Sequence, residues 1–371
     1  MSGPERCRLR DLGVGVGALP TGPLNAITDV PGVRVGHCTV SWGGHELPQG
    51  SGPARTGVTA VFPHGDDVWH ERVVAGAFAA NGVGEVIGIS AIREWGLIET
   101  PVLLTNSQSA GAVYDATVRW MMDHDPRIGI DDAVMPVVGE CDDGFLNDLR
   151  GMHVKEEHVR EALDGATGGP VAEGCVGAGA GMTCFDFKAG IGTSSRAITA
   201  HGLPFTVGVL ALTNFGVRHR FMVDGVPVGR EITDLMPVEN REGSCIVVLA
   251  TDAPLCARHC ERLAKRCALG LALTGSYASD GSGEIMVAFS TAHRVPRASV
   301  GLLPLRSVAN DQMQGLFEAA VDATAESVVN SICAAHTTVG RDANLAHALP
   351  LDRLVAAMRR YGREARPPDG A

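Results

Sequence analysis

Lysine is nearly absent from this 371-residue chain, where only Lys155, Lys188 and Lys265 stand against 28 arginines. That leaves few positions for a lysine general base or a Schiff-base nucleophile. Positive charge as a whole is short, with 31 Lys and Arg against 42 Asp and Glu and a net charge of −11. The acidic residues are scattered, so the surrounding field repels phosphate backbones and anionic lipid, and no nucleic-acid or membrane partner is expected. The ten cysteines include no Cys-x-x-Cys pair, which argues against a disulfide framework and against a paired zinc knuckle. Reduced thiols in a cytoplasm fit that usage. No strongly apolar run reaches membrane-spanning length, and the first twenty residues lack a continuous apolar segment. A soluble, unexported, cytoplasmic protein is therefore expected.

Several familiar active sites are missing as well. There is no G-x-S-x-G elbow, no H-E-x-x-H and no G-x-x-x-x-G-K-[ST] loop. The run 177–181, Gly-Ala-Gly-Ala-Gly, lacks the phosphate-loop lysine and reads as a tight turn or close backbone packing. Cys256-x-x-His259-Cys260 has metal-ligand residue types, but Cys256, Cys260 and Cys267 fall on one apolar helix face. Buried free thiols are the better reading, and neither a metal nor a cofactor is expected.

What the chain does have is glycine, 47 residues, nearly twice the usual share of about 7%. The glycines carry no three-residue period, and 45% of residues are hydrophobic against 20% charged, so the chain is folded and globular. Short apolar, β-branched runs at 33–40, 58–62, 86–89, 134–138, 205–212, 245–250 and 285–289 predict strands. Helical spacing predicts helices at 109–122, 154–163, 254–273 and 311–335. In the third, Thr251 and Asp252 are the cap candidates and Pro254 sits in the first turn. Some consecutive strands have no helix between them, which favours stacked sheets flanked by helices over a doubly wound sheet. The polar stretch 224–243 reads as a linker and 363–371 as a loose tail.

The informative segment runs from Glu242 to Pro254, where a polar loop passes through Gly243-Ser244 directly into a buried strand. If the peptide bond before Ser244 were cut, one residue would carry both a hydroxyl and a new α-amine. With a reference pKa of about 7.7–8.0, that amine is suited to act as a base near neutrality. Gly243 suits such a cut because a residue without Cβ lets the hydroxyl approach the preceding carbonyl. An ordinary loop-to-strand turn is the alternative, and the local pattern alone leaves both open.

The stretch 24–37 (LNAITDVPGVRVGH), Arg55-Thr56-Gly57, the runs 177–181 and 190–196, Thr213-Asn214-Phe215-Gly216, Gly243-Ser244 and Gly281-Ser282-Gly283-Glu284 occur in that order. Together they resemble the DmpA-like L-aminopeptidase/D-Ala-esterase-amidase and β-peptidyl aminopeptidase family of self-processing N-terminal-nucleophile serine hydrolases. The resemblance implies an α+β fold, a four-layer α-β-β-α sandwich of the DmpA/ornithine acetyltransferase type. It implies one domain made of an α chain, 1–243, and a β chain, 244–371, after self-cleavage between Gly243 and Ser244. It also implies a homo-oligomer, a tetramer or larger, with no metal or cofactor, that releases N-terminal residues from short peptides, amino-acid amides or esters. Carried over by position, Ser244 is the nucleophile, Ser282 and Glu284 are its supporting partners, and Asn214 stabilises the oxyanion. Glu140 and Asp142 lie in the stretch that resembles the substrate-facing loop, with Glu140 the candidate for the substrate's free amine. Cys141-Asp142-Asp143 stands where relatives carry an aromatic hydroxyl, a departure that points to an altered preference for the first residue. The same architecture also serves amidases of ω-amino-acid or synthetic oligoamides and acyltransferases, the latter with a Thr nucleophile that this chain lacks.

Overall fold

Alternating side chains build two sheets in the computed structural model, which describes residues 6–65, 67–200, 202–238, 243–298 and 301–363. The strands are β1 Arg34–Trp42, β2 Ala54–Phe62, β3 Glu71–Gly82, β4 Val86–Ile87, β5 Leu97–Ile98, β6 Val102–Asn106, β7 Val137–Cys141, β8 Thr183–Cys184, β9 Phe187–Lys188, β10 Ile191–Ala200, β11 Leu203–Thr213, β12 Cys245–Thr251, β13 Gly283–Pro296, β14 Thr338–Val339 and β15 Leu345–Ala346, of which β8/β9 and β14/β15 form separate two-stranded pairs. The helices are α1 Ile89–Trp95, α2 Ala110–His124, α3 Glu156–Asp164, α4 Val228–Glu231, α5 Ala257–Thr274, α6 Gln314–Cys333 and α7 Leu351–Arg360. One sheet has the order β1-β2-β6-β7-β4 and the other β10-β11-β12-β13-β3-β5. Only β6/β7 and β12/β13 among these neighbours run parallel.

The layering follows from period-two burial. Along β2, Val58, Ala60 and Phe62 face a core shared with α2 and α3, while Val61 faces the space between the sheets. Along β12, Cys245, Val247 and Leu249 face α5 and α6, and Ile246, Val248 and Ala250 meet the first sheet. Both faces of β12 are buried, which is why its sequence is continuously apolar rather than alternating. The result is the expected four-layer α-β-β-α sandwich.

Several local expectations are corrected. The α5 helix begins at Ala257, with Cys256 at its cap position. Thr251 and Asp252 instead bond back to Thr206 of β11, so they close a strand rather than open a helix. The strand expected at 134–138 is Val137–Cys141, and only Val86 and Ile87 of 86–89 are extended. The pattern also misses β10, because its middle is polar: Thr193, Ser194, Ser195 and Arg196 are all buried and bonded. The linker-like stretch 224–243 is folded at its start, with Val226, Val228 and Ile232 in the core. Residues 239–242 and 364–371, parts of the expected linker and tail, lie outside the described residues. Among the described residues no helix is long and apolar enough to cross a membrane.

The polar strand β10 is tied to α6 by a buried ion cluster. Arg196 Nη2 meets Glu326 Oε2 at 2.7 Å with both side chains fully buried. Glu326 also accepts from Arg10 Nε at 2.9 Å and Asn25 Nδ2 at 2.5 Å, so the N-terminal arm is fastened through the same carboxylate. Burial pushes the Glu326 carboxyl upward, but Arg196 and Arg10 outweigh it and hold the group below its ordinary value. Because that pKa is depressed, the stabilisation exists above the unfolded-state glutamate pKa and is lost as pH falls through the folded one. Glu326→Gln is expected to cost about 3–5 kcal/mol at neutral pH by leaving buried guanidinium groups without their counter-charge. In thermal melts it should also remove part of the wild type's acid sensitivity, whereas an Arg196→Met/Glu326→Leu double variant should recover much of the lost stability.

Candidate active site

The site forms where β11, β12 and β13 reach one edge of their sheet. β12 and β13 are parallel and begin there, with Cys245 opposite Glu284, while antiparallel β11 ends there, with Thr213 opposite Cys245. The residues just outside the strands are therefore Asn214, Ser244 and Ser282, with Gly283 the first residue of β13, brought side by side although separated by up to seventy positions in sequence. Asn214 N–H donates to the Ser244 carbonyl at 3.0 Å, which continues the ladder by one step.

Ser244 is buried, at 7% exposure. Its Oγ accepts the Gly283 N–H at 3.3 Å and points its proton toward the Val83 carbonyl at 3.4 Å. On the neighbouring strand Ser282 Oγ donates to Glu284 Oε1 at 2.5 Å. The two-residue spacing places both side chains on one face, as period-two geometry requires. Glu284 Oε2 is buried without a hydrogen-bond partner. Burial raises the Glu284 carboxyl above its ordinary value, and the Ser282 hydroxyl opposes that shift.

Asn214 is clamped from both ends. Its Nδ2 donates to the Asp142 carbonyl at 2.7 Å, and its Oδ1 accepts the Thr183 N–H at 3.0 Å. A primary amide has two N–H groups, so one donor remains beyond the Asp142 bond. Gly243 lies directly against this amide: a Cβ there would stand 2.6 Å from Asn214 Nδ2 and would overlap the Asn214 carbonyl oxygen. Glycine is required at the proposed cleavage residue for lack of space, independently of any strain.

The opposite wall comes from the other sheet. Glu140 sits within β7 rather than in a loop, and its carboxylate is buried. Glu85 N–H donates to Glu140 Oε1 at 2.8 Å, and Ser107 Oγ donates to Oε2. Burial raises this carboxyl, while the Ser107 and Glu85 hydrogen bonds oppose the shift. A Cβ at Gly84 would stand 3.4 Å from Ser244 Oγ and 3.5 Å from Glu140 Oε1, so both oxygens face the same small space. Asp142 is different: its side chain is exposed, and its Oδ1 accepts the Gly144 N–H at 2.7 Å. Its main-chain carbonyl, not its carboxylate, reaches the site.

Ser244 Oγ and Glu140 thus face one space, Asn214 bonds the Ser244 carbonyl, and Ser282 and Glu284 flank the Gly283 whose N–H meets Ser244 Oγ, whereas the Asp142 side chain caps its own turn. Ser107, Thr183 and the Val83-Gly84 backbone were not among the sequence candidates. The Asn106 side chain that accepts the Ser109 N–H at the start of the α2 segment was the one local signal near Ser107. A cleft lined by Phe215, Gly216, Val217, Tyr277, Ser282 and Glu284 opens beside the group. A larger cavity, lined in part by Val16, Arg220, Arg230, Thr274 and Asp322, contains none of these five residues. His259 of the Cys-His-Cys cluster is bonded to Asn310 and Ser307, and Cys260 and Cys267 are buried free thiols.

The profile of peptidase family S58 matches residues 25–346. Beta-peptidyl aminopeptidase BapA of Sphingosinicella microcystinivorans is 42% identical over 378 residues, covering 97% of this chain and 94% of that protein. A crystal structure from Pyrococcus horikoshii OT3 superposes with a TM-score of 0.93 at 43% identity, over 96% of this chain and 100% of that one. The L-aminopeptidase D-Ala-esterase/amidase of Ochrobactrum anthropi, described as a prototype for the serine aminopeptidases and a variant of the Ntn hydrolase fold, gives 0.91 at 41% identity, over 96% and 99%. With nearly the whole length matched and the sandwich shared, the chain belongs to peptidase family S58 and is an aminopeptidase of the Ntn hydrolase fold.

Proposed function

We propose that the protein activates itself by cutting between Gly243 and Ser244 and then works as a serine aminopeptidase through an acyl-enzyme. The observation that carries this reading is the packing of Gly243 against the Asn214 amide, with Ser244 Oγ one residue away on the Gly283 N–H. In the first step Ser244 Oγ attacks the Gly243 carbonyl carbon, the Gly243–Ser244 C–N bond breaks, and an ester to Oγ replaces the amide. Water then hydrolyses the ester, leaving a Gly243 carboxylate and a Ser244 residue with free hydroxyl and amine. Chain 1–243 and chain 244–371 remain packed as one domain.

In turnover the Ser244 α-amine takes the Oγ proton as the oxygen attacks the carbonyl after the substrate's first residue. Asn214 donates to the tetrahedral oxygen, the protonated amine supplies the leaving group, and water releases the acylated residue. Glu284, whose Oε2 has no partner in the uncut chain, is placed to hold the charged amine through the Ser282 pair. Glu140, fixed by Glu85 and Ser107, receives the substrate ammonium, for which an unpaired buried charge would be costly. The substrates are short peptides, amino-acid amides or esters with a free amine. The naming of the 42% identical relative extends the reading to peptides that begin with a β-amino acid. β-Alanine peptides, D-alanine amide and 6-aminohexanoate oligomers assayed together would rank these classes.

Denaturing electrophoresis of the wild type is expected to show two fragments, and intact mass spectrometry a fragment starting at Ser244. Ser244→Ala should stay as one 38.7 kDa band without turnover; two fragments from that variant would sink the self-cleavage step. Glu140→Gln is expected to lower kcat/KM for free-amine substrates about 10- to 100-fold, the equivalent of losing a charged hydrogen bond of roughly 1.5–3 kcal/mol, mainly through KM. Since burial raises the Glu140 carboxyl, wild-type KM should increase as pH falls, from above the ordinary carboxylate range, and Glu140→Gln should flatten that rise.

A further inference from the structure

We propose that Asp143, which touches neither Ser244 nor the proposed substrate site, is the positioning residue that holds the Asn214 amide in register. The inference rests on the reading of Asn214 as oxyanion donor. Two loops meet at Asn214: the turn after β7 supplies the Asp142 carbonyl, and the glycine-rich segment before β8 supplies the Thr183 N–H. Those loops touch each other at Gly181 and Asp143. A Cβ at Gly181 would stand 2.8 Å from Asp143 Cβ and would overlap the Arg55 carbonyl oxygen, so only glycine allows the contact.

Asp143 is fully buried. Its Oδ1 accepts Asn147 Nδ2 at 2.8 Å, and its carbonyl accepts the N–H groups of Leu146 and Asn147, which folds the turn that follows Asp142. Oδ2 is buried without a hydrogen-bond partner. Thr56, whose Oγ1 accepts Asn106 Nδ2 at 2.6 Å, keeps a hydroxyl proton that favours the ionised form of Asp143. A buried cation stands on β9, beside the other loop. Lys188 is fully buried, and its Nζ donates to the carbonyls of Gly179, Met182 and Ala189, so the ammonium is seated in the glycine-rich segment itself. Burial lowers the Lys188 pKa, and Cys175 first and then Asp143 oppose that shift. The Gly181–Asp143 contact, the turn folded on the Asp143 carbonyl and carboxylate, and the Lys188 bonds to Gly179 and Met182 hold the two loops at the point from which both clamps on Asn214 extend.

The remaining groups around this contact are accounted for. Asp142 flanks Asp143 and disfavours its negative charge, while burial raises the neighbouring Cys141 thiol well above its ordinary value and keeps it neutral. Cys175 faces Lys188 and is itself next to His336. Arg55 turns its guanidinium away to the carbonyls of Trp42, Gly43 and Val339. Asp148 is taken up by the N–H groups of Gly50 and Gly52, with His153 beside it. Burial dominates at Asp143 and pushes its carboxyl up to about 7, with Thr56 and Asn147 opposing the shift. A raised acid pKa means that ionisation costs folding stability between the unfolded and folded values, so stability falls as pH rises toward 7. Activity is expected to move the opposite way, because the ionised carboxylate holds Asn147 Nδ2, and with it the turn after Asp142, more firmly than the neutral acid does.

The test compares wild type, Asp143→Asn, Thr56→Val and Asn214→Ala as full chains, with kcat and KM followed across pH on a free-amine amide. Asp143→Asn is expected to melt no lower than wild type at pH 8, yet to lose about 10- to 100-fold in kcat, the scale of a misplacement near 1 Å, with KM little changed. The Ser244 amine imposes its own fall in kcat below neutrality on both proteins, and Asp143→Asn should lose only the additional fall that protonation of Asp143 adds in the wild type. Thr56→Val, which removes the hydroxyl favouring ionisation, should move that fall to higher pH. An Asp143→Asn protein that melts normally but stays uncut supports the same assignment, since the first cut uses the same amide. Wild-type kcat and an unmoved acid limb in both variants would overturn the inference while Asn214→Ala still loses about 10²–10³-fold in kcat. Full activity in Asn214→Ala would instead overturn the reading of Asn214 on which it rests.

Discussion

The register of three neighbouring strands is the constraint from which the rest of the site hangs. β11 ends, and β12 and β13 begin, at the same edge of one sheet, so hydrogen bonds that pair Thr213 with Cys245 and Cys245 with Glu284 also fix what lies one residue beyond. A slip by one residue would exchange the two faces of β12 and send Val247 and Leu249 out of the helix-side core. Burial on both faces forbids that slip. The stability of the core and the placement of Asn214, Ser244 and Gly283 are therefore set by the same hydrogen bonds.

The β1-β2-β6-β7-β4 sheet contributes the acidic wall. β4 and β7 are antiparallel, and Glu85 and Glu140 exchange main-chain and side-chain hydrogen bonds at their ends. Gly84 lets the Ser244 and Glu140 oxygens face one space because it adds no side chain between them. Close approach recurs at Gly243 and Gly181, where a Cβ would strike backbone. The glycine excess is thus partly a requirement for backbone segments to converge on a buried polar centre.

Much of the fold was legible in the chain. The apolar runs of β2, β11 and β12 and the spacing of α2, α5 and α6 follow from burial patterns that hydropathy reports directly. β10 was not legible, because Thr193, Ser194, Ser195 and Arg196 are satisfied by partners from the N-terminal arm, β11 and α6 that no local window contains. The start of α5 was misplaced for a related reason, since Thr251 and Asp252 have the chemistry of caps but are occupied by Thr206. At the site, Gly243-Ser244 and Ser282-x-Glu284 were readable as local patterns. Ser107 and Thr183 were not, because their roles exist only through Glu140 and Asn214.

The sequence by itself determined the layered class, through period-two strands and helical spacing, and it determined the small residues at the Gly243-Ser244 junction. Tertiary structure decided which acids matter. Glu140 and Asp142 are two residues apart and alike in chemistry, yet one is buried between two sheets with both oxygens held, while the other caps an exposed turn and lends only its carbonyl. Asp143, next in line, is fully buried against Gly181. Composition cannot separate three neighbouring carboxylates, because desolvation and the partners each one meets are properties of the packed chain and not of the residue type.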